Sequence, residues 1–127
     1  MRVDDKWMRW LITALIFSHT AFALTYLDLG HLNYGQDYNT VLEIAPTWLW
    51  AVAHLVTIAL LASVVLRKLL PILIGSALSL VLFNITALSF IINEEKYHLD
   101  IVGFAMQVSL SILSLFVFDV AMRERLK

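Results

Sequence analysis

The chain has no cysteine among its 127 residues. That excludes disulfides, thiolate nucleophiles and Cys-ligated zinc or iron–sulfur sites, and it leaves the redox compartment open. Charge is also scarce, at 15% of residues, where a soluble domain carries about 25%. The usual parts of enzyme chemistry are missing: no pair of carboxylates lies within the apolar runs, and no Ser/His/Asp set stands out by spacing. A net charge of −1 makes no case for a nucleic-acid partner. Internal repeats, linkers and low-complexity segments are absent as well.

What fills the chain instead is apolar. Hydrophobic residues make up 61% of it, and the mean hydropathy is +0.82. The length suffices for about four membrane spans of roughly 20 residues each. The stretch from Leu60 to Leu73 organises the rest, because two long apolar runs meet there across one basic dipeptide, Arg67-Lys68. Two such runs in tandem would leave a soluble protein too little polar surface. In a bilayer they form a helical hairpin whose turn sits at one membrane face. Lys and Arg are retained on the cytoplasmic side, so Arg67 and Lys68 are the topology determinants. Pro71 suits the first turn of the returning helix.

The other segments alternate around that hairpin. A short polar lead holds Arg2, Lys6 and Arg9 against Asp4 and Asp5, and Trp7 and Trp10 mark a membrane boundary. Spans are expected at about 7–29, 46–66, 69–92 and 99–118. A cleaved signal peptide is the rival reading of the first, through the small–x–small run Ala21-Phe22-Ala23. The apolar run continues through Leu24, Tyr26 and Leu27, which favours a retained span. Gly30 and Gly35 break the helix before a polar loop, and Trp48 and Trp50 flank the outer start of the second span. All the basic residues except Lys96 fall in segments on the inner side, while Asp28, Asp37, Glu43, Glu94, Glu95 and Asp100 fall on the outer side. The expectation is a single all-α, four-span domain, an integral membrane four-helix bundle with both termini cytoplasmic.

Four polar residues stand out inside the spans: His19, His54, Asn84 and Gln107. Each lies about 8 to 10 residues from the outer end of its helix, roughly 12–15 Å deep, so they are expected to form one intramembrane layer. Interhelical hydrogen bonding ranks first as its role, at ~0.6–2 kcal/mol per bond. A polar lumen for ions or protons, or a cofactor, is the alternative. Two histidines at matched depth could ligate haem from both faces, but no further haem signature is present and no cofactor is expected. Both rings are expected neutral, with Asn84 and Gln107 supplying their partners.

The fourth span carries a stripe at helical spacing: Asp100, Gly103, Gln107, Ser111 and Ser114. Close packing is its first reading, and pore lining on assembly of several copies its second. On the third span Gly75, Ser79 and Thr86 share a face, with Asn84 nearly opposite. Asp119 and Arg123 are spaced for a helix-end ion pair. His31 and His98, with Asp28, Asp37, Glu94 and Asp100, read as solvated loop residues, and no metal site is expected. Asn84-Ile85-Thr86 matches a glycosylation sequon but lies within a span.

The run Glu43-Ile44-Ala45-Pro46-Thr47-Trp48-Leu49-Trp50, after a first helix with Ser18-His19 and Tyr26-Leu27, resembles small four-helix membrane proteins of phages and prophages of Gram-positive bacteria. Some of those are described as candidate holins. The resemblance implies a protein that gathers in the cytoplasmic membrane and self-associates to permeabilise it, and it carries no catalytic residues. Small multidrug transporters fit less well, since this first helix has no acid between Trp10 and Leu27. Fluoride channels fit less well too, because Leu82–Phe90 lacks their third-helix pattern. The functional expectation is therefore a non-enzymatic homo-oligomer in the lipid bilayer. The alternatives are a redox or transport subunit using His19 and His54, and an accessory or immunity protein that binds a membrane partner.

Overall fold

The structure, a computed structural model, describes residues 2–28, 44–92 and 101–127. Four helices account for nearly all of them: α1 (Lys6–Asp28), α2 (Thr47–Ala62), α3 (Leu69–Ile92) and α4 (Ile101–Arg125). Four segments are long and apolar enough to cross a membrane: Lys6–Leu27, Thr47–Leu66 (α2 with the tight turn that follows it), α3 and α4, of 22, 20, 24 and 25 residues. At 1.5 Å per residue these reach about 30–38 Å, against a hydrocarbon core about 30 Å thick. The protein is an all-α, multi-pass membrane protein. Its outer surface agrees, since Phe17, Leu24, Val102 and Ile112 are all more than half exposed. Water would not tolerate that much apolar surface, whereas acyl chains solvate it.

Helix boundaries follow from local chemistry. At the start of α1 the Asp5 carbonyl accepts from Arg9 N–H at 3.0 Å, and its carboxylate accepts from Arg2 N–H at 2.8 Å. Pro46 precedes α2 in an extended conformation (φ −66°, ψ 154°). After α2 the chain tightens into a 3-10 turn, Ser63–Leu66, and Arg67 enters the left-handed region at φ 53°. Arg67 N–H then bonds Val64 O at 3.1 Å, and Lys68 N–H bonds Ser63 O at 3.4 Å. A left-handed non-glycine residue costs about 1–2 kcal/mol, and here it reverses the chain within two residues. Pro71 sits in the first turn of α3, where helix N–H groups have no intrahelical acceptor.

One helix end and the direction of one side chain differ from the sequence expectation. Helix α4 runs on to Arg125, past the expected span end near Phe118. Val120 and Ala121 stay buried against the core, Asp119 and Arg123 pair at 2.9 Å, and the Glu124 carboxylate accepts from Val3 N–H at 2.7 Å. These contacts hold two further turns helical beyond the apolar run. Trp50, expected at the outer boundary, is turned inward; it stacks on Tyr26 and donates its indole N–H to Ala45 O at 3.1 Å.

Successive helices pack side by side, α1 on α2, α2 on α3 and most closely α3 on α4, while α1 and α4 touch less. A lipid-open groove of about 280 Å³ remains between those two, lined by Ser18, Ala21, Phe22, Thr25, Met106 and Leu110. The N-terminus, the Ser63–Lys68 turn and the end of α4 meet at one end, where Arg2, Val3, Val64, Arg67 and Glu124 line a common cavity. A core of Met8, Ile12, Leu15, Leu61, Ile72 and Val117 fills that half. Lipid is as apolar as these side chains, so burial alone does not drive the helices together; packing and polar contacts must.

Candidate functional site

The inward face of each helix repeats at about 3.5 residues, the spacing of left-handed coiled packing. On α1 it reads Met8, Ile12, Leu15, His19, Phe22, Tyr26; on α2, Trp50, His54, Thr57, Leu61; on α3, Ile72, Ser76, Ser79, Phe83, Thr86, Phe90. On α4 it reads Gln107, Ser111, Ser114, Val117, Ala121. One polar side chain from the core seam of each helix, His19, His54, Ser79 and Ser114, meets the others in a belt across the middle of the bundle. His19 Nδ1 lies 2.7 Å from His54 Nδ1, His19 Nε2 lies 2.7 Å from Ser79 Oγ, and Ser79 Oγ lies 2.7 Å from Ser114 Oγ. All four side chains are essentially inaccessible.

The direction of this chain follows from its last link. Ser114 donates to the Leu110 carbonyl at 2.8 Å, since a carbonyl can only accept. Its one proton is then used, so Ser79 donates to Ser114. Ser79 is then an acceptor for His19 Nε2–H, which leaves His19 Nδ1 bare to accept from His54 Nδ1–H. The neutral pair therefore holds opposite tautomers. His54 Nε2 is left as a bare acceptor, buried and without a partner.

The expected four-membered layer is not what forms. His19 and His54 come together, but Ser79 and Ser114 occupy the places assigned to Asn84 and Gln107. Asn84 is exposed on the outer face of α3, with one amide N–H bonded to Leu80 O of its own helix at 2.7 Å. Its phase on α3 differs from that of Ser79 by more than a quarter turn, so both cannot face inward. Gln107 is buried, yet neither amide atom has a partner, and the same holds for Ser111 Oγ. Gly103 is half-buried on the same helix. Asp100, Asp37, Glu94, His31 and His98 lie outside the described residues. Gly75, Ser79 and Thr86 are buried together on α3, and Arg67 and Lys68 are exposed at the turn.

Aromatic rings enclose the histidines. His19 stacks on Phe83 at 4.6 Å, and His54 stacks on Phe22 at 5.5 Å and on Tyr26 at 5.6 Å. This arrangement does not fit haem. A porphyrin would have to lie between the two imidazoles, whereas His19 Nδ1 and His54 Nδ1 are in direct contact and the rings stack on Phe83, Phe22 and Tyr26. Among the described residues no group of three or more His, Asp or Glu is placed to hold a metal ion.

The serine links could be found in sequence only as members of the α3 and α4 stripes. Nothing in one strip of sequence says which hydroxyl on α3 meets which on α4. No family model, curated protein or solved structure matches this chain.

Proposed function

We propose that the protein acts without catalysis, by self-association in the cytoplasmic membrane, with its termini and the Arg67-Lys68 turn on the cytoplasmic side. The observation that carries this reading is Asn84. Thr13, Ser18, Thr20, Thr25 and Ser109 also face outward or partly so, but each returns its single hydroxyl proton to the carbonyl four residues earlier. Asn84 does this with only one N–H, which leaves a carbonyl oxygen and a second N–H at the lipid surface. It lies eight residues from Ile92, about 12 Å inside the helix end. An amide left unpaired there is costly.

The surface around Asn84 suits a helix partner. Leu70, Ile74, Ala77, Val81, Asn84, Leu88 and Ile91 form an uninterrupted heptad seam down α3, exposed at every position except the half-buried Ala77. Every copy in one membrane has the same orientation and depth. Two α3 helices pairing in parallel about a two-fold axis therefore set Asn84 against its own twin, and two amides are complementary to each other. Permeabilisation by larger assemblies is the specific version of this reading. It requires α4 to swing away from α3, because Gln107, Ser111 and Ser114 are turned into the bundle rather than offered as pore lining.

A chain without cysteine makes the test direct. Val81→Cys or Leu88→Cys, oxidised in membranes, should give a disulfide-linked dimer, and Leu115→Cys on the outer face of α4 should give much less. Adding Asn84→Leu should weaken dimerisation about 3- to 30-fold, the equivalent of ~0.6–2 kcal/mol per interhelical polar contact. Equal cross-linking from α3 and α4 positions would remove α3 as the interface.

A further inference from the structure

We propose that α1 carries a binding site for one anionic phospholipid, whose headgroup is held by Lys6, Arg9 and Trp10 where the helix enters the membrane. The site lies on a single chain and does not depend on self-association. An open groove of about 490 Å³ runs along the start of α1, lined by Asp4, Lys6, Arg9, Trp10 and Thr13. Positions 6, 9, 10 and 13 recur at helical spacing, so they share one face. Lys6 and Arg9 are exposed on it, and Trp10 is 62% exposed beside them.

Charge is what singles this groove out. At the same end of the bundle Arg2 lies 3.3 Å from Asp4 and 3.7 Å from Glu124, and Arg123 lies 2.9 Å from Asp119. Among the described residues, neither Lys6 nor Arg9 has a carboxylate within ion-pair distance. Asp4, the acid in the groove, is already held by Arg2. The placement also runs against the helix. The first turn of α1 contains no acidic residue, and cations beside the positive end of a helix macrodipole destabilise it. Retention of Lys and Arg in cytoplasmic segments accounts for the side of the membrane on which they lie. It does not require two cations on one face, next to an exposed indole. A phosphate there accounts for both features, because Lys and Arg give it charge-assisted hydrogen bonds and an anion suits the start of a helix.

The rest of the face matches the rest of a lipid. Thr13 spends its hydroxyl proton on Arg9 O at 2.8 Å, which leaves it none for a headgroup. Phe17 and Leu24 continue the same face of α1 towards the bilayer centre, 73% and 62% exposed. Phe17 comes eleven residues after Lys6, about 16 Å further along the axis. Cations, indole and apolar side chains therefore succeed one another in the order of headgroup, interface and acyl chain. Free phosphate would meet the cations alone, whereas a phospholipid meets the whole face. Two cations without acidic partners select a lipid of net negative charge over a zwitterionic one.

The test uses purified full-length protein in detergent, titrated with phosphatidylglycerol or with phosphatidylcholine of the same acyl chains, and native mass spectrometry to count bound lipids. Wild-type protein should retain one phosphatidylglycerol per chain in preference to phosphatidylcholine. Lys6→Gln and Arg9→Gln should each weaken phosphatidylglycerol binding about fivefold, the scale of one basic residue at an anionic membrane surface. Phosphatidylcholine binding should not change. Arg125→Gln with Lys127→Gln removes as much charge from exposed positions at the same end of the bundle and should leave phosphatidylglycerol bound. Asn84→Leu should also leave it bound, which separates the lipid site from dimerisation. Circular dichroism confirms that each variant is helical. Equal retention of the two lipids by the wild type overturns the proposal. So does an equal loss from the Lys6/Arg9 and Arg125/Lys127 pairs, which would mark a general charge effect. Displacement of the lipid by an equimolar amount of inorganic phosphate would overturn it as well, by making free phosphate the occupant.

Discussion

His19 uses both ring nitrogens, one towards α2 and one towards α3, and stacks on Phe83 of α3 as well. It ties α1 to both α2 and α3. Replacing it by Leu keeps the apolar bulk but strands the Nδ1–H of His54 and leaves Ser79 short of its donor. A buried polar group without a partner costs about 1–3 kcal/mol, so His19→Leu should destabilise the bundle by roughly 2–6 kcal/mol for the two. His19→Gln retains a donor and an acceptor and should lose less than half of that. Unfolding in mixed SDS micelles would measure both. If Leu and Gln proved equally mild, the belt would be incidental to folding.

At the scale of the element, α3 is the helix with two working faces. Its inner seam carries Ser79 to the belt and its outer seam carries Asn84 to the lipid. Its approach to α2 depends on Gly75. A Cβ there would stand 2.9 Å from Leu60 Cβ and 3.2 Å from the Leu61 backbone nitrogen. Backbone cannot give way as a flexible side chain would, so Gly75→Ala has to push α2 and α3 apart. Overpacking of this kind costs about 1–3 kcal/mol, and the same micelle unfolding experiment should show it. A stability at or above that of the wild type would mean that α2 and α3 are free to slide at this point.

At the scale of the molecule, three separate stretches come together at one end: the N-terminus, the α2–α3 turn and the end of α4. Positive charge gathers with them, through Arg2, Lys6, Arg9, Arg67, Lys68, Arg123, Arg125 and Lys127. Since cytoplasmic segments retain Lys and Arg, reporters fused after Lys127 and inserted between Gly35 and Asn39 should fall on opposite sides of the membrane. Both reporters on one side would break the four-span topology. The same view explains why the belt matters to the whole bundle. With α1 and α4 touching little, the bundle is closed through Ser79–Ser114 and the α3–α4 packing rather than by direct contact between the first and last helices.

Composition and periodicity alone determine that this chain enters a membrane as four helices. Hydropathy depends on which residues are adjacent in the chain, and adjacency is what a sequence records. The same holds for the opposite placement of Ser79 and Asn84, since five residues on a helix carry a side chain well round the axis. Which of the two faces inward is another matter. In lipid an apolar face is equally content against acyl chains or against a neighbouring helix, so polarity along α3 does not point to the core. Packing decided it: α3 turns Ser79 towards His19 and Ser114, and Asn84 is left outside. Matched depth brought His19 and His54 to one level, but only the bundle set their nitrogens 2.7 Å apart and so directed the hydrogen bonds that run from them.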